Sequence, residues 1–465
     1  MNTQRAADTL GMSEKEMRAL GHQMVDMVID HLVGRSDEPA IQVANRADLE
    51  AVIGGPVPQG PSDAAAALRM LHSQVLPMQQ HGDHPRYFAR VPSPAAFTGI
   101  LGDWLGTGFN TIATSWVGGS GPAVTELVVI DWLRQCMGMP EGTQGIVLSG
   151  GSMANFTAFA AAFASKGRGM VYMNDQTHAS LKRNLTATGV DAAEIRVLKT
   201  NAQQEFDLQE LSLAIAADRQ AGKRPVMIIG NAGTTNTGAV DPLREIAALA
   251  KNEDMWLHLD GAYGGPAAMT AKGANALAGM ELADSLVIDP HKWLFQPYDC
   301  GVVLVRHPGA LERAFTMNPE YLKDVMGGEE RVDLFNRSLE LSRKTRALKL
   351  WLTFKTHGFA KISASILAGI ELAERAQAMI EAQPQVWELA SGAKLGIVTF
   401  VRRGAGSGDH ARLVGQLTDD GWATISSTMI GERSVLRLCT LNPLTTDDDL
   451  LGTLARLAAM SVTGK

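Results

Sequence analysis

Apolar positions along the chain follow three regimes. From Ser13 to Val33 the residues Met17, Leu20, Met24, Met27, Val28 and Leu32 recur at helical spacing, and Gly34 ends the run. A Gly- and Pro-rich stretch from Gly54 (GGPVPQGPSD) reads as a linker, so the first regime predicts a helical arm. The middle regime alternates short apolar runs with helical patterns. The runs are GIVL (from Gly145), MVYM (from Met170), IRVL (from Ile195), VMIIG (from Val226), MWLHLD (from Met255), SLVID (from Ser285) and GVVLV (from Gly301). One helical segment starts at Ser152 and stops near Gly167. Another is predicted from Asp241-Pro242, an N-cap with proline at the first helical position. Apolar strands separated by helices imply an α/β fold, with a mostly parallel sheet covered on both faces. Ligands of such folds gather at the carboxyl ends of the strands. The third regime, from about residue 350, carries a long helical pattern and then strand-like LGIVTFV and SVLRLCT, which predicts a small α+β domain. The expected division is 1–80 for the arm and linker, 81–350 for the large α/β domain and 351–465 for the small domain.

Composition narrows the partners. The 42 Lys plus Arg against 49 Asp plus Glu leave a net charge of -7 without any compensating basic run, which argues against nucleic acid or an anionic membrane surface. No apolar segment is long enough to span a bilayer, and MNTQRAADTLGMSEKEM lacks the apolar core of a secretory signal. Cys136, Cys300 and Cys439 lie far apart without CxxC spacing, so neither a disulfide framework nor a zinc site is indicated. A cytoplasmic globular protein is expected.

Four motifs fall where predicted strands end. Ser149-Gly-Gly-Ser-Met-Ala-Asn155 joins a strand to an alanine-rich helix. It reads as a phosphate cradle built from glycine backbone and a helix amino terminus, or equally as a tight turn capped by Ser152. Asp260 ends a strong apolar strand in HLDGAYGG; a carboxylate there needs a cationic or hydrogen-bonding partner, or simply caps the loop. Lys292 lies in Asp289-Pro-His-Lys-Trp293, where desolvation would make the amine nucleophilic, although a single Lys is ordinarily a surface residue. His178 lies in Asn174-Asp-Gln-Thr-His178, at a helix start, where a cap is the plainer reading. Together they place an anion site, a carboxylate, a lysine and an imidazole on one sheet edge. This is the set that pyridoxal phosphate requires.

The chain resembles the group II pyridoxal-dependent amino-acid decarboxylases over nearly its whole length. The resemblance rests on HPRYFARVPSP (from His84), SWVGGSGPAVTELVVIDWL (from Ser115), NDQTHAS, GNAGTTNTGAVDPL (from Gly230), WLHLDGAYGG, DPHKWL, RALKLW (from Arg346) and LRLCTLNPLTT (from Leu436). It implies a fold-type I, aminotransferase-like architecture with a seven-stranded sheet, and a homodimer with sites at the subunit interface. It also implies pyridoxal 5'-phosphate as cofactor and an amino acid, aromatic by preference, as substrate. Lys292 would form the Schiff base, Asp260 would pair with the pyridinium nitrogen, and His178 and Ala262 would flank the ring. Gly151 and Ser152 would hold the phosphate, with Thr235 and His291 beside the cofactor.

Departures from the family pattern are as informative. Asp289 stands where many relatives have Asn beside the phosphate, and receives no phosphate role. Gly82, Arg90 and Thr114 replace bulky aromatics of the substrate pocket, while Val91, Pro92, Ser93 and Ile112 remain pocket residues; Arg90 would bind an acidic substrate or lie at the surface. Between Gly327 and Arg343, relatives carry a loop whose tyrosine protonates the carbanion left by loss of CO2. This chain aligns Leu334 or Phe335 there. In related plant enzymes, Phe for Tyr accompanies aldehyde-forming chemistry, so that outcome is the alternative to amine unless His178 or water donates instead. A serine hydrolase built on Gly150-Gly-Ser152 leaves Asp260 and Lys292 unexplained. The P-loop signature is missing, and a metal at His81 and His84 lacks further spaced ligands, so no metal is expected.

Overall fold

The computed structural model describes residues 10–317, 331–406 and 408–462. Its centre is a seven-stranded sheet formed by β1 (Gln144–Leu148), β2 (Met170–Asn174), β3 (Ile195–Leu198), β4 (Pro225–Asn231), β5 (Trp256–Asp260), β6 (Ser285–Ile288) and β7 (Gly301–Val305), in the order β1-β7-β6-β5-β4-β2-β3. The pairs β2·β3, β2·β4, β4·β5 and β5·β6 are parallel, whereas β7 runs antiparallel to both β6 and β1. Only β7 is reversed, so the carboxyl ends of the other six strands share one edge with the amino end of β7. Strands β2, β4, β6 and β7 are buried at every position. That double-sided burial is why each reads as a continuous apolar run.

The arm helix Glu14–Gly34 begins at Ser13, which forms a capping box with Glu16. None of its residues is buried, and Met12, Met17 and Val33 stay exposed. At the other end of the chain, the helix Ala347–Glu381 bends at Gly358 and links the two cores. Its buried Lys349 Nζ donates to Asp103 Oδ2 (2.9 Å) and to the carbonyls of Pro297 and Asp299. Its Leu372, Ala376 and Ile380 enter the core of the small domain. There β8 (Trp387–Lys394), β9 (Ile397–Arg402), β10 (Ser426–Ile430) and β11 (Arg433–Cys439) form an antiparallel sheet in the order β10-β11-β9-β8.

Two sequence expectations are corrected. Strands β8 and β10 were not anticipated. Asp241 does not cap the helix that follows: Pro242 is the N-cap of Leu243–Asn252 and no side chain caps it. The Asp241 carboxylate is buried, and accepts from the backbone N–H groups of Asn231 and Phe206 and from the amides of Asn174 and Asn231. It thereby fixes the turns after β2 and β4.

A second buried acid anchors the edge strand. Glu126 Oε1 accepts from Val147 N–H in β1 (2.9 Å) and pairs with Arg343 at 2.7 Å, both side chains being fully buried. Arg343 also donates to the carbonyls of Val147 and Ala113.

Candidate active site

The common edge of the sheet carries a cavity of about 330 Å³. After β1 the chain turns through Gly150 into the helix Gly151–Lys166. A Cβ on Gly151 would lie 2.7 Å from Asp289 Oδ2, so this backbone approach requires glycine. The first N–H groups of this helix have no intrahelical acceptor and point, with the positive end of its dipole, at the cavity wall. The Ser152 carbonyl accepts from Asn184 Nδ2 at 2.7 Å, which steadies the turn.

After β2, Asn174 Oδ1 accepts from Gln176 N–H and the Thr177 hydroxyl, and the resulting turn delivers His178. His178 is the N-cap of the helix Ala179–Ala187, accepting from Ser180 N–H, and its exposed ring lines the cavity. From the loop after β4 comes Thr235, whose carbonyl is held by Arg437 Nε at 2.7 Å. Asp260 ends β5 and accepts from Ala262 N–H (3.0 Å). Burial pushes its carboxyl above the ordinary range, and the nearby Lys292 charge only partly offsets that.

After β6 the short helix Pro290–Trp293 presents Lys292. Its Nζ lies 2.9 Å from Asp289 Oδ2. Burial alone would pull the ammonium down, but the Asp289 charge and hydrogen bond, with Asp260 behind them, leave it above its usual value. Asp289 Oδ1 is buried and has no hydrogen-bond partner among the described residues. Trp293, fully buried, stacks on Tyr263 with ring centroids 5.3 Å apart and so fixes the neighbouring lysine. His291 Nδ1 accepts from Cys300 N–H, which leaves its proton on Nε2, 3.6 Å from Asp289. Burial holds the His291 pKa below the ordinary histidine value. Beneath this floor His258 bridges Asn155 and Ser285, and burial lowers its pKa to about 3.

Gly151, Ser152, His178, Thr235, Asp260, Ala262, His291 and Lys292, singled out above, all line this one cavity. The family model for the pyridoxal-dependent decarboxylase conserved domain matches residues 48–403. The chain belongs to the pyridoxal-dependent decarboxylases. It is 40% identical to an aromatic-L-amino-acid decarboxylase of Bacillus atrophaeus, over 98% of this chain and 97% of that one. It is 32% identical to a phenylacetaldehyde synthase of Petunia hybrida, over 84% and 80% of the two chains. Among solved structures, Oryza sativa TDC with PLP and tryptamine superposes with a TM-score of 0.90 at 27% identity, covering 96% of this chain and 97% of that one. This pyridoxal-dependent decarboxylase is thus a carboxy-lyase of the fold-type I class, with pyridoxal phosphate as its cofactor. The donor set fits that group: a glycine turn for an oxyanion, a carboxylate, a nucleophilic amine and an open imidazole around one cavity.

The decarboxylase's expected substrate residues do not converge in the same way. Arg90, Val91, Pro92, Ser93, Ile112 and Thr114 are all absent from the lining of this cavity. Arg90 is exposed, has φ 48° and donates to Gln80 Oε1. Ile112 is exposed, and Val91 packs on the central core. Pro92 is buried. Ser93 reaches the site indirectly, since its hydroxyl donates to the His291 carbonyl at 2.5 Å. The Thr114 carbonyl accepts from Phe335 N–H, and the buried Phe335 lines a separate cavity with Phe156, Phe163 and Leu339. Gly327–Glu330 of the expected loop lies outside the described residues.

Sequence reasoning missed Tyr298. Its ring lies 4.6 Å from that of His291, its hydroxyl 2.9 Å from Ser93 Oγ, and its phenol is among the groups acting on the Lys292 charge. The available signal was its place in the loop that runs from Lys292 into β7.

Proposed function

We propose that this decarboxylase, as a homodimer in the cytoplasm, removes the carboxylate of an aromatic L-amino acid and releases the amine and CO2. The observation that carries the reading is the convergence of Lys292, Asp260, His178 and the Gly151 turn on one cavity. Similarity to the aromatic-L-amino-acid decarboxylase of Bacillus atrophaeus supports the substrate class. The exposed apolar side chains of the arm support a partner copy covering them.

When bound, pyridoxal phosphate supplies a carbonyl that condenses with amines and a ring that withdraws electrons from the substrate Cα. In this reading Gly151 and Ser152 hold its phosphate, Lys292 its carbonyl carbon, and Asp260 a proton at its ring nitrogen. His178 and Ala262 would flank the ring, and Thr235 and His291 would lie at the cofactor end. Burial raises the carboxyl pKa of Asp260, and the Lys292 charge only partly offsets it. A protonated ring nitrogen is the partner that relieves it.

The test has two parts. Borohydride should fix the cofactor on Lys292, read by peptide mapping, and a panel of L-amino acids should release CO2 from aromatic members first. An adduct on another lysine, or selective turnover of Asp or Glu that is lost in Arg90→Ala, overturns the reading.

A second product rests on Leu334 and Phe335, neither of which can donate a proton where relatives carry a phenol. Without a proton donor at the substrate Cα, O2 would serve as the oxidant instead: one amino acid, one O2 and one water would give aldehyde, CO2, ammonia and hydrogen peroxide. Likeness to the Petunia hybrida phenylacetaldehyde synthase points the same way. Peroxide and amine per CO2 under air, in the wild type and in Phe335→Tyr, decide it. Stoichiometric amine without peroxide in both removes the second product.

A further inference from the structure

The arm helix and the first loop of the body bring three ligating side chains to one point, outside the cavity described above. His31 Nδ1 lies 3.1 Å from Glu38 Oε2, and His81 Nδ1 lies 3.8 Å from the same oxygen. The three ligand atoms all fall within 4.8 Å of one another. A tetrahedral ion with bonds of roughly 2.0–2.2 Å sets its ligands roughly 3.3–3.6 Å apart. The two measured separations bracket that spacing.

The far nitrogens of both rings are already committed. His81 Nε2 lies 3.1 Å from the Pro77 carbonyl. A carbonyl only accepts, so Nε2 carries the proton and Nδ1 turns a lone pair toward Glu38. His31 Nε2 lies 3.2 Å from Asp83 Oδ2, and Asp83 in turn lies 3.7 Å from Arg35. A carboxylate or carbonyl behind each imidazole is the outer arrangement that orients metal-ligating histidines and raises their basicity. His81 Nδ1 and Glu38 Oε2 thus face each other across a gap that a cation would fill.

The backbone holds the ligands in register. Ile41 and Gln80 form an antiparallel bridge, His81 N–H donates to the Ala40 carbonyl, and Gln42 N–H donates to the Gln79 carbonyl. His81 is buried, whereas His31 and Glu38 are partly exposed at 31% and 40%, which leaves one side of the cluster open to water. His84, the neighbour that sequence spacing pairs with His81, turns its Nε2 to the Glu38 carbonyl and is not a ligand. Ligands from residues 31, 38 and 81 have no recognisable sequence spacing, so only the fold assembles them.

We propose that His31, Glu38 and His81 bind one divalent transition ion of the zinc class, with water in the fourth position, stapling the arm to the body. Imidazole and carboxylate donors suit this class. The staple braces the route to the cofactor cavity: Gly82, next to His81, accepts from Ser93 N–H, and Ser93 holds the His291 carbonyl. The charged and titratable groups facing His31 are Asp83, Glu38, His81 and, through Asp83, Arg35.

The test uses the full chain with its cofactor bound, stripped of metal by a chelator and titrated with zinc chloride in a calorimeter. One ion per chain is expected, with a rise of a few degrees in melting temperature. His31→Ala and Glu38→Gln, both at partly exposed positions, should weaken zinc binding by at least about 100-fold and abolish the thermal gain. The exposed His72→Ala, as control, should change neither. No zinc binding by the wild type, or binding that survives unchanged in both variants, overturns the proposal and leaves a protonated His31 bridging Glu38 and Asp83.

Discussion

Two buried acid–base pairs lie close to β1 and differ in how far they are closed off from the cavity. Glu126 and Arg343 are both fully buried, and each is also tied to backbone: Glu126 to Val147 N–H, Arg343 to the carbonyls of Ala113 and Val147. Asp289 and Lys292 form a similarly short pair, at 2.9 Å against 2.7 Å, but the lysine remains 24% exposed and both residues line the cavity. Each pair leaves buried polar atoms without a hydrogen bond among the described residues: Glu126 Oε2 and Arg343 Nε in the first, Asp289 Oδ1 in the second. The first pair closes a seam between an edge strand and the segment that leads into the long helix. The second opens on the cavity, beside the Gly151 turn. Burial, charge pairing and unfilled valences therefore do not distinguish a structural pair from a reactive one; access to the cavity does.

Substitutions on the two sides should separate along that line. The largest effect is expected for Lys292→Ala, which should reduce CO2 release by roughly 10⁴-fold or more while the chain stays folded, read by radiometric assay beside circular dichroism. Retained turnover would place the reactive amine elsewhere.

Glu126→Ala should do the reverse. Stranding the Arg343 charge should cost about 3–5 kcal/mol of stability in denaturant titrations, with turnover per folded molecule unchanged. A loss of under about 1 kcal/mol would mean that water reaches this seam.

Asp260→Ala should lower the rate by about 10²-fold while cofactor colour persists, because a preorganised charge is removed without loss of the other holds. A near-normal rate would break the assignment.

The smallest effect is the most diagnostic of the comparison. Asp289→Asn removes the charge that keeps the Lys292 ammonium above its usual pKa, so burial should dominate and the pKa should fall. More neutral amine is then present at neutral pH. Cofactor-free protein should capture pyridoxal phosphate about tenfold faster for each pH unit the midpoint falls, followed as the rise of visible absorbance. An unchanged pH profile of capture would show that Asp289 does not govern the lysine.

The sheet was legible because most of its strands are buried on both faces and read as apolar runs from Gly145 to Val305, whereas the edge strand β3 is exposed at Arg196 and Val197. Strand β8 (WELASGAK) was missed because all but Trp387 is only partly buried, and β10 (SSTMI) because this edge strand opens on three small polar residues and carries no alternation. Asp241-Pro242 has the chemistry of a helix start, but the fold uses that carboxylate as a buried acceptor for four N–H groups, a role that depends on residues 174, 206 and 231. At the site, Lys292, Asp260, His178 and the Gly151 turn could be found because each directly follows a strand. Tyr298 and the His31, Glu38, His81 cluster could not, since their neighbours come from distant stretches of chain.

The reversed strand β7 has a mechanical consequence. Chain leaving β6 at Ile288 re-enters the sheet at Gly301 beside it, with Val302 registered against Ile288. The segment bearing Lys292 is thus a bow whose two tips are nocked into adjacent strands. A bow strung in this way stores little slack: its ends cannot drift apart without unzipping the middle of the sheet, and its crown is pinned by Trp293. Thermal motion of the amine is thereby limited to its own side-chain torsions, so the entropy of aiming the nucleophile is lost once, at folding, and not again at each catalytic cycle.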